Sequence, residues 1–147
     1  MRSFLTALLA GCFCLPLVGG EESAKELFEF AKAKAEKGDA SAQVTLGLMY
    51  EYGRGVAKND VEAVKWYRKA AEQGDADAQI YLGSRYRNGR GVAEDDAEAV
   101  KWYRKAAEQG VADAQINLGR RYEDGRGVAK DDAEAVKWYR KAAEQGV

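Results

Sequence analysis

A sequence that nearly restates itself at a fixed interval has few ways to fold, and this one does so every 36 residues for most of its 147. Residues 75–110 and 111–146 differ at only six of 36 positions: Asp75/Val111, Tyr81/Asn117, Ser84/Arg120, Arg87/Glu123, Asn88/Asp124 and Glu94/Lys130. Residues 39–74 follow the same pattern more loosely, with Trp66, Trp102 and Trp138 in register. A unit of this size cannot bury its apolar face alone, so the period predicts units stacked into a solenoid. Residues 22–37 align with the second half of a unit, Phe28 and Phe30 falling where Val64 and Trp66 do. The expected layout is therefore a leader over 1–20, a divergent half-repeat or capping helix over 21–38, and three units over 39–74, 75–110 and 111–146.

Each unit reads as two helices. The first is predicted from about Ala40 to Tyr52, capped by Asp39 and stopped by Gly53. The third unit carries Val111 in place of that cap, so its first helix is expected to start less firmly. Gly53-Arg54-Gly55 turns the chain, and Asn59 with Glu62 forms a capping-box pattern repeated as Asp95 with Glu98 and Asp131 with Glu134. The second helix runs to about Gln73. At about 100° per residue its apolar residues Ala63, Val64, Trp66, Tyr67, Ala70 and Ala71 share one broad face. In the first helix Ala42, Leu46, Gly47 and Tyr50 hold the packing side, and Gly47 lets another helix approach closely.

The leader reading rests on Arg2, an apolar run of 15 residues from Phe4 to Val18, and Val18 and Gly20 as the small residues before a cut. The run is too short to span a membrane, and Pro16 interrupts it. Cleavage near Gly20 predicts a periplasmic or secreted chain without cysteine, since Cys12 and Cys14 both lie in the leader. The alternative is a lipoprotein: Leu9-Ala10-Gly11-Cys12 has the form of a lipobox, which would leave a lipid anchor on Cys12.

Leu46-Gly47, Tyr50, Gly53-Arg54-Gly55-Val56, Asp60, Ala63, Trp66-Tyr67, Ala70-Ala71 and Gly74 resemble the Sel1-like repeat, a relative of the tetratricopeptide repeat, and the match recurs in the next two units. The resemblance implies an all-α fold: a short right-handed α/α superhelical solenoid of about three helix-turn-helix repeats, acting as an adaptor that binds protein or peptide. Some cysteine-rich relatives are described as β-lactamases, which leaves a cell-wall-related hydrolase as the alternative function. This chain lacks their cysteines.

The differences between units pick out a surface. Thr45, Tyr81 and Asn117, then Leu48, Ser84 and Arg120, then Met49, Arg85 and Arg121, then Tyr52, Asn88 and Asp124 occupy the variable positions of the first helices. Their spacing of three and four residues places them on one face, opposite Leu46 and Tyr50. First helices of helical-pair solenoids line the concave side, so this stripe is the expected partner-binding face. It grades from apolar to basic, which suits a peptide with an apolar end and an acidic end. The rival account is drift at unconstrained positions. Leu48, Met49 and Tyr52 weigh against it, as large apolar groups that are costly to expose. At the other end the last unit keeps the interior pattern, so Val136, Tyr139 and Ala143 are expected to leave apolar surface for self-association, with a homo-oligomer as one outcome.

Composition removes much enzymology. There is no histidine, hence no ordinary general base, triad partner or imidazole metal ligand. The formal charge of −1 gives no field for nucleic acid, and the basic-aromatic run Lys65-Trp66-Tyr67-Arg68-Lys69 points its aromatics inward. Gly53-x-Gly55 follows a helix rather than a strand, so it is not a dinucleotide loop. Arg126 and Val128 stand where a calcium loop needs oxygen ligands. The paired acids Asp95-Asp96 and Asp131-Asp132 begin helices, where negative charge favours the dipole. No catalytic residue, metal site or cofactor is assigned.

Overall fold

The computed structural model describes residues 19–146. The leader and the Cys12 anchor lie outside these residues, apart from Gly19 and Gly20. Among the described residues there are seven helices and no strand: α1 (Gly19–Glu36), α2 (Ala40–Tyr52), α3 (Asp60–Glu72), α4 (Ala76–Asn88), α5 (Asp96–Glu108), α6 (Ala112–Asp124) and α7 (Asp132–Ala143). Each packs on its neighbours in sequence, more extensively within a unit than between units. This is an all-α solenoid of units about 36 residues long.

Local chemistry sets the helix ends. Asp39 and Asp75 each accept a backbone N–H three residues on, at 2.8 Å, and Gly53, Gly89 and Gly125 close the first helices in the left-handed region. Val111 makes no such bond, yet α6 starts in the same register with Val111 extended. The missing cap is a lost hydrogen bond rather than a shifted start. The capping box is only half made. Asn59, Asp95 and Asp131 cap the second helices, but their own N–H groups donate to the carbonyls of Tyr50, Tyr86 and Tyr122. That bond ties the loop back to the preceding helix. Glu62, Glu98 and Glu134 are left to pair with Lys65, Lys101 and Lys137 one turn along.

Two glycines per unit permit the packing. A Cβ on Gly47 would lie 2.5 Å from the Tyr67 ring, and Gly83 and Gly119 stand likewise against Tyr103 and Tyr139. The close approach expected at Gly47 therefore brings in the aromatic ring of the partner helix. Gly55, Gly91 and Gly127 have positive φ. A Cβ there would come within 2.2 Å of the Ala24, Asp60 or Asp96 carbonyl, because the turn lies directly on the start of the preceding unit's second helix.

The core runs along the array in three clusters. Ala63, Val64, Tyr67, Ala70 and Ala71 of α3 are all buried with Leu82 of α4 and Trp102 of α5. Trp66 packs on the cluster around Phe28, Ala31 and Ala35, and Trp138 on the cluster around Ala99 and Tyr103. Every tryptophan thus reaches back to the preceding unit, which makes it scaffold. Phe30 occupies the equivalent position in α1 with no earlier unit described beneath it, and it is 61% exposed.

Candidate interaction surface

The variable face of the first helices is less uniform than the spacing implies. Thr45, Tyr52, Asn88, Arg120 and Asp124 are exposed; Leu48, Tyr81, Ser84 and Asn117 are half-buried. Leu48 packs against the central core cluster, and Tyr81 stacks on Tyr67 with ring centroids 5.1 Å apart. Thr45 and Asn117 turn their side chains to the Ser41 and Asp113 carbonyls, at 2.9 Å each. Asn88 donates to the Ser84 hydroxyl at 3.3 Å.

Three expected contact residues are withdrawn from this face. Met49, Arg85 and Arg121 are buried. Met49 joins the cluster around Phe28. Arg85 is gripped by Glu51 of the preceding first helix and by Asp60, whose Oδ1 lies 3.3 Å from Nη1. Arg121 pairs with Asp96 at 3.0 Å. The spacing argument put them on the surface because a wheel treats each helix alone, whereas preceding helices meet this flank: α1 at Met49, α2 and α3 at Arg85, and α5 at Arg121. A buried guanidinium held by carboxylates joins units and is not free to bind a partner.

Sequence reasoning missed a second inter-helix device. Gln43, Gln79 and Gln115 are buried within the apolar face. Each donates Nε2 to a carbonyl eight residues back, Ala35, Ala71 or Ala107, at 3.1–3.2 Å. Each also accepts from the glutamine that closes its unit's second helix, Gln73, Gln109 or Gln145, at 2.8–2.9 Å. Each of these carbonyls also accepts the backbone N–H of Gly38, Gly74 or Gly110, at 3.0–3.1 Å, so the glutamine adds a second bond that ties the first helix to the end of the preceding helix. The available signal was a glutamine repeated without change inside an otherwise apolar face.

Tyrosine hydroxyls join the same framework. Tyr67 donates to Glu51 at 2.6 Å and Tyr139 to Glu123 at 2.7 Å. Burial first, and then the acidic partner, pushes both phenols up, Tyr139 to about 12. Tyr139 therefore turns toward its own unit, with its ring under Gly119, and does not present an outward apolar face. Val136 and Ala143 are exposed. Val136 is 53% exposed, whereas its counterparts Val64 and Val100 are covered by the first helix of the following unit.

At the other end α1 and α2 leave an open groove of about 450 Å³, lined by Leu27, Phe30, Ala31, Thr45 and Met49 among others. In later units the corresponding space holds the preceding first helix. Among the described residues no group of three or more His, Cys, Asp or Glu side chains could hold a metal ion, and no helix is long and apolar enough to cross a membrane.

The comparisons with known proteins agree with this geometry. A 50-residue stretch is 44% identical to a chitin synthase regulator of Saccharomyces cerevisiae, covering 34% of this chain and 7% of that protein. A 72-residue stretch is 47% identical to the secretory immunoglobulin A-binding protein EsiB of Escherichia coli, covering 47% of this chain and 14% of that one. The crystal structure of a protective antigen of uropathogenic Escherichia coli with an SLR fold superimposes with a TM-score of 0.80 at 52% identity, over 82% of this chain and 26% of its own. The chain thus spans between 7% and 26% of the length of these three relatives. The family model of the Sel1 repeat matches residues 40–75, 76–111 and 112–147, each one residue later than the units read from the sequence, and the chain belongs to the Sel1 repeat family.

Proposed function

We propose that this chain is a non-catalytic binding scaffold, exported after loss of residues 1–20, that receives a protein or peptide along its first helices. One observation carries the reading. Thr45 of the variable stripe also lines the open groove beside α1, and Tyr52 and Arg120 farther along the same stripe are exposed. A surface with an apolar pocket at one end and a free guanidinium at the other suits an extended segment with a matching gradient. The name of EsiB, an immunoglobulin-binding relative, fits a role in protein recognition.

The test is selection of peptides from a displayed random library on the mature chain, followed by binding to variants. Binders should lose affinity at least tenfold on the double change Tyr52→Ser and Arg120→Glu, and keep it on Lys65→Glu, which lies on the solvent side of α3. Failure to enrich any sequence, or equal loss on Lys65→Glu, would count against the stripe.

The uncovered Val136 and Ala143 favour a second role in self-association. Light scattering across a dilution series should then show a dimer that Val136→Glu abolishes. A strict monomer would dismiss it.

A further inference from the structure

The groove between α1 and α2 has a counterpart one unit on, and there a helix fills it. The space between α3 and α4 holds α2, which lays Gly47 on the Tyr67 ring and Glu51 against the Tyr67 hydroxyl and Arg85. The bond from Gln73 to Gln43 at one end and from the Asn59 N–H to the Tyr50 carbonyl at the other set α2 antiparallel to α3.

Thirty-six residues earlier, Ala31, Thr45 and Met49 stand where Tyr67, Tyr81 and Arg85 stand in that filled site. A ring, its stacking partner and a guanidinium give way to a methyl, a small hydroxyl and a thioether. An occupant seated as α2 is must therefore bring a bulky apolar group over Ala31, where α2 brings glycine, and an apolar group over Met49, where α2 brings a carboxylate. The first helices of a second copy do not fit. They carry Gly47, Gly83 or Gly119 at the first place and Glu51, Arg87 or Glu123 at the second. Leu27 and Phe30, 59% and 61% exposed, complete an apolar wall that such an occupant would cover.

The two ends of the groove are basic. Lys34 stands beside the start of α2 with its ammonium 5.1 Å from the centre of the Phe30 ring, and none of the positions three or four residues away along α1 is acidic. Arg54, exposed just past the end of α2, is the equivalent of Arg90 and Arg126, which hold Asp60 and Asp96; the matching residue of α1 is Ala24. Glu21 lines a hollow with Arg54 on the same turn without forming an ion pair. Asp39, the acid among the groove's lining residues, is committed to the Ala42 N–H. A helix entering antiparallel to α1 brings its first turn to Lys34 and its last to Arg54. Acids in both turns would meet these cations, and Arg54 would also face the negative end of the helix dipole.

We propose that the groove receives an amphipathic helix of a partner protein, about as long as the 13-residue α2, with bulky apolar residues four apart over Ala31 and Met49 and an acid in its first and last turns. The inference deepens the interaction reading and rests on it for the existence of a partner: the apolar end of the bound segment is helical.

The test uses three fluorescent synthetic peptides of the length of α2, in an alanine and glutamine background with leucine at the places Gly47 and Glu51 hold. One carries glutamate in its first and last turns, one carries lysine there, and one is the glutamate peptide with a central proline that breaks the helix. By anisotropy at constant ionic strength the mature chain should bind the first with half-saturation on the order of 100 μM and the other two at least tenfold more weakly, and the first should gain helical ellipticity on binding. Combining Lys34→Glu with Arg54→Glu, both exposed positions, should reverse the preference between the acidic and basic peptides. Absence of binding, equal binding of the proline peptide, or an unchanged preference in the double variant would overturn the assignment. So would a dimer in light scattering that Phe30→Glu dissolves, since a second copy would then hold the groove. Failure here, with library peptides that still depend on Tyr52 and Arg120, would sink this assignment alone. Binding of the acidic helix without any library selection would leave the groove standing and sink the wider reading.

Discussion

Adding one methyl group at Gly47 tests whether the helix pair is as tightly seated as the geometry requires. An alanine Cβ at this position would lie 2.5 and 2.7 Å from two ring carbons of Tyr67, so ordinary contact needs a retreat of close to 1 Å. The ring has nowhere to go. It is fully buried, stacked on Tyr81, and its hydroxyl is held by Glu51 at 2.6 Å. Relief must come from moving α3 off α2, an overpacking cost of about 1–3 kcal/mol and here toward the upper end. The better helix propensity of alanine returns about 1 kcal/mol. A net loss of roughly 1–2 kcal/mol is expected for Gly47→Ala. At Gly119 the same change meets Tyr139, which is half-buried in the last described helix and free to shift outward with it. The loss there should stay within about 0.5 kcal/mol. Urea unfolding followed by circular dichroism, with amide exchange to localise the effect, measures both. In a Tyr67→Leu background the Gly47→Ala change should turn stabilising by about 1 kcal/mol. A Gly47→Ala protein at least as stable as its parent with Tyr67 intact would refute the argument.

Further outcomes follow from the same contacts. Trp102→Ala should cost about 3–5 kcal/mol by equilibrium unfolding, because the ring is buried between two units, while Phe30→Ala on the exposed side of α1 should change stability by less than about 0.5 kcal/mol. Gln79→Ala removes one of two donors to the Ala71 carbonyl, which keeps the Gly74 N–H, and one of two acceptors of the Gln109 amide, which keeps the Gly74 carbonyl, and should lose about 1 kcal/mol, with faster amide exchange at the end of α3 as the local signature. Arg85→Ala leaves buried Glu51 without a cation and Asp60 with only the longer Arg90 contact, and should cost about 3–5 kcal/mol; Arg85→Met combined with Glu51→Ala should recover part of that loss in the same assay. Tyr139 is held neutral in the folded state, with its pKa raised above the ordinary 10.0 to about 12. Its contribution to stability is therefore complete below pH 10 and lost as pH rises through about 12. Phenolate absorbance and ellipticity recorded together should show this, and Tyr139→Phe should flatten the decline.

The helix ends were legible in the chain because they depend on short-range chemistry. Asp39, Asn59, Gly53 and their equivalents act on backbone groups within a few residues, so their spacing alone located six of the seven helices. The half-made capping box was not legible. Whether Glu62 reaches the Asn59 N–H depends on a competing carbonyl from Tyr50, which only the folded turn brings near.

The interaction surface divides in the same way. Variation between units marked the first helices, and Thr45, Tyr52, Asn88, Arg120 and Asp124 on them are exposed. Arg85 and Arg121 share that variable face by helical spacing, yet they are buried, because their partners Asp60 and Asp96 lie 25 residues earlier and become neighbours only when units stack. The groove beside α1 was invisible for a related reason: it is the space a preceding first helix occupies in every later unit. The period, the helix pairs and the inward aromatic face were determined by the sequence itself, through interactions that close within one unit. Which charges are consumed between units and which apolar faces stay uncovered were decided by the tertiary structure, because each depends on what the neighbouring unit places against it.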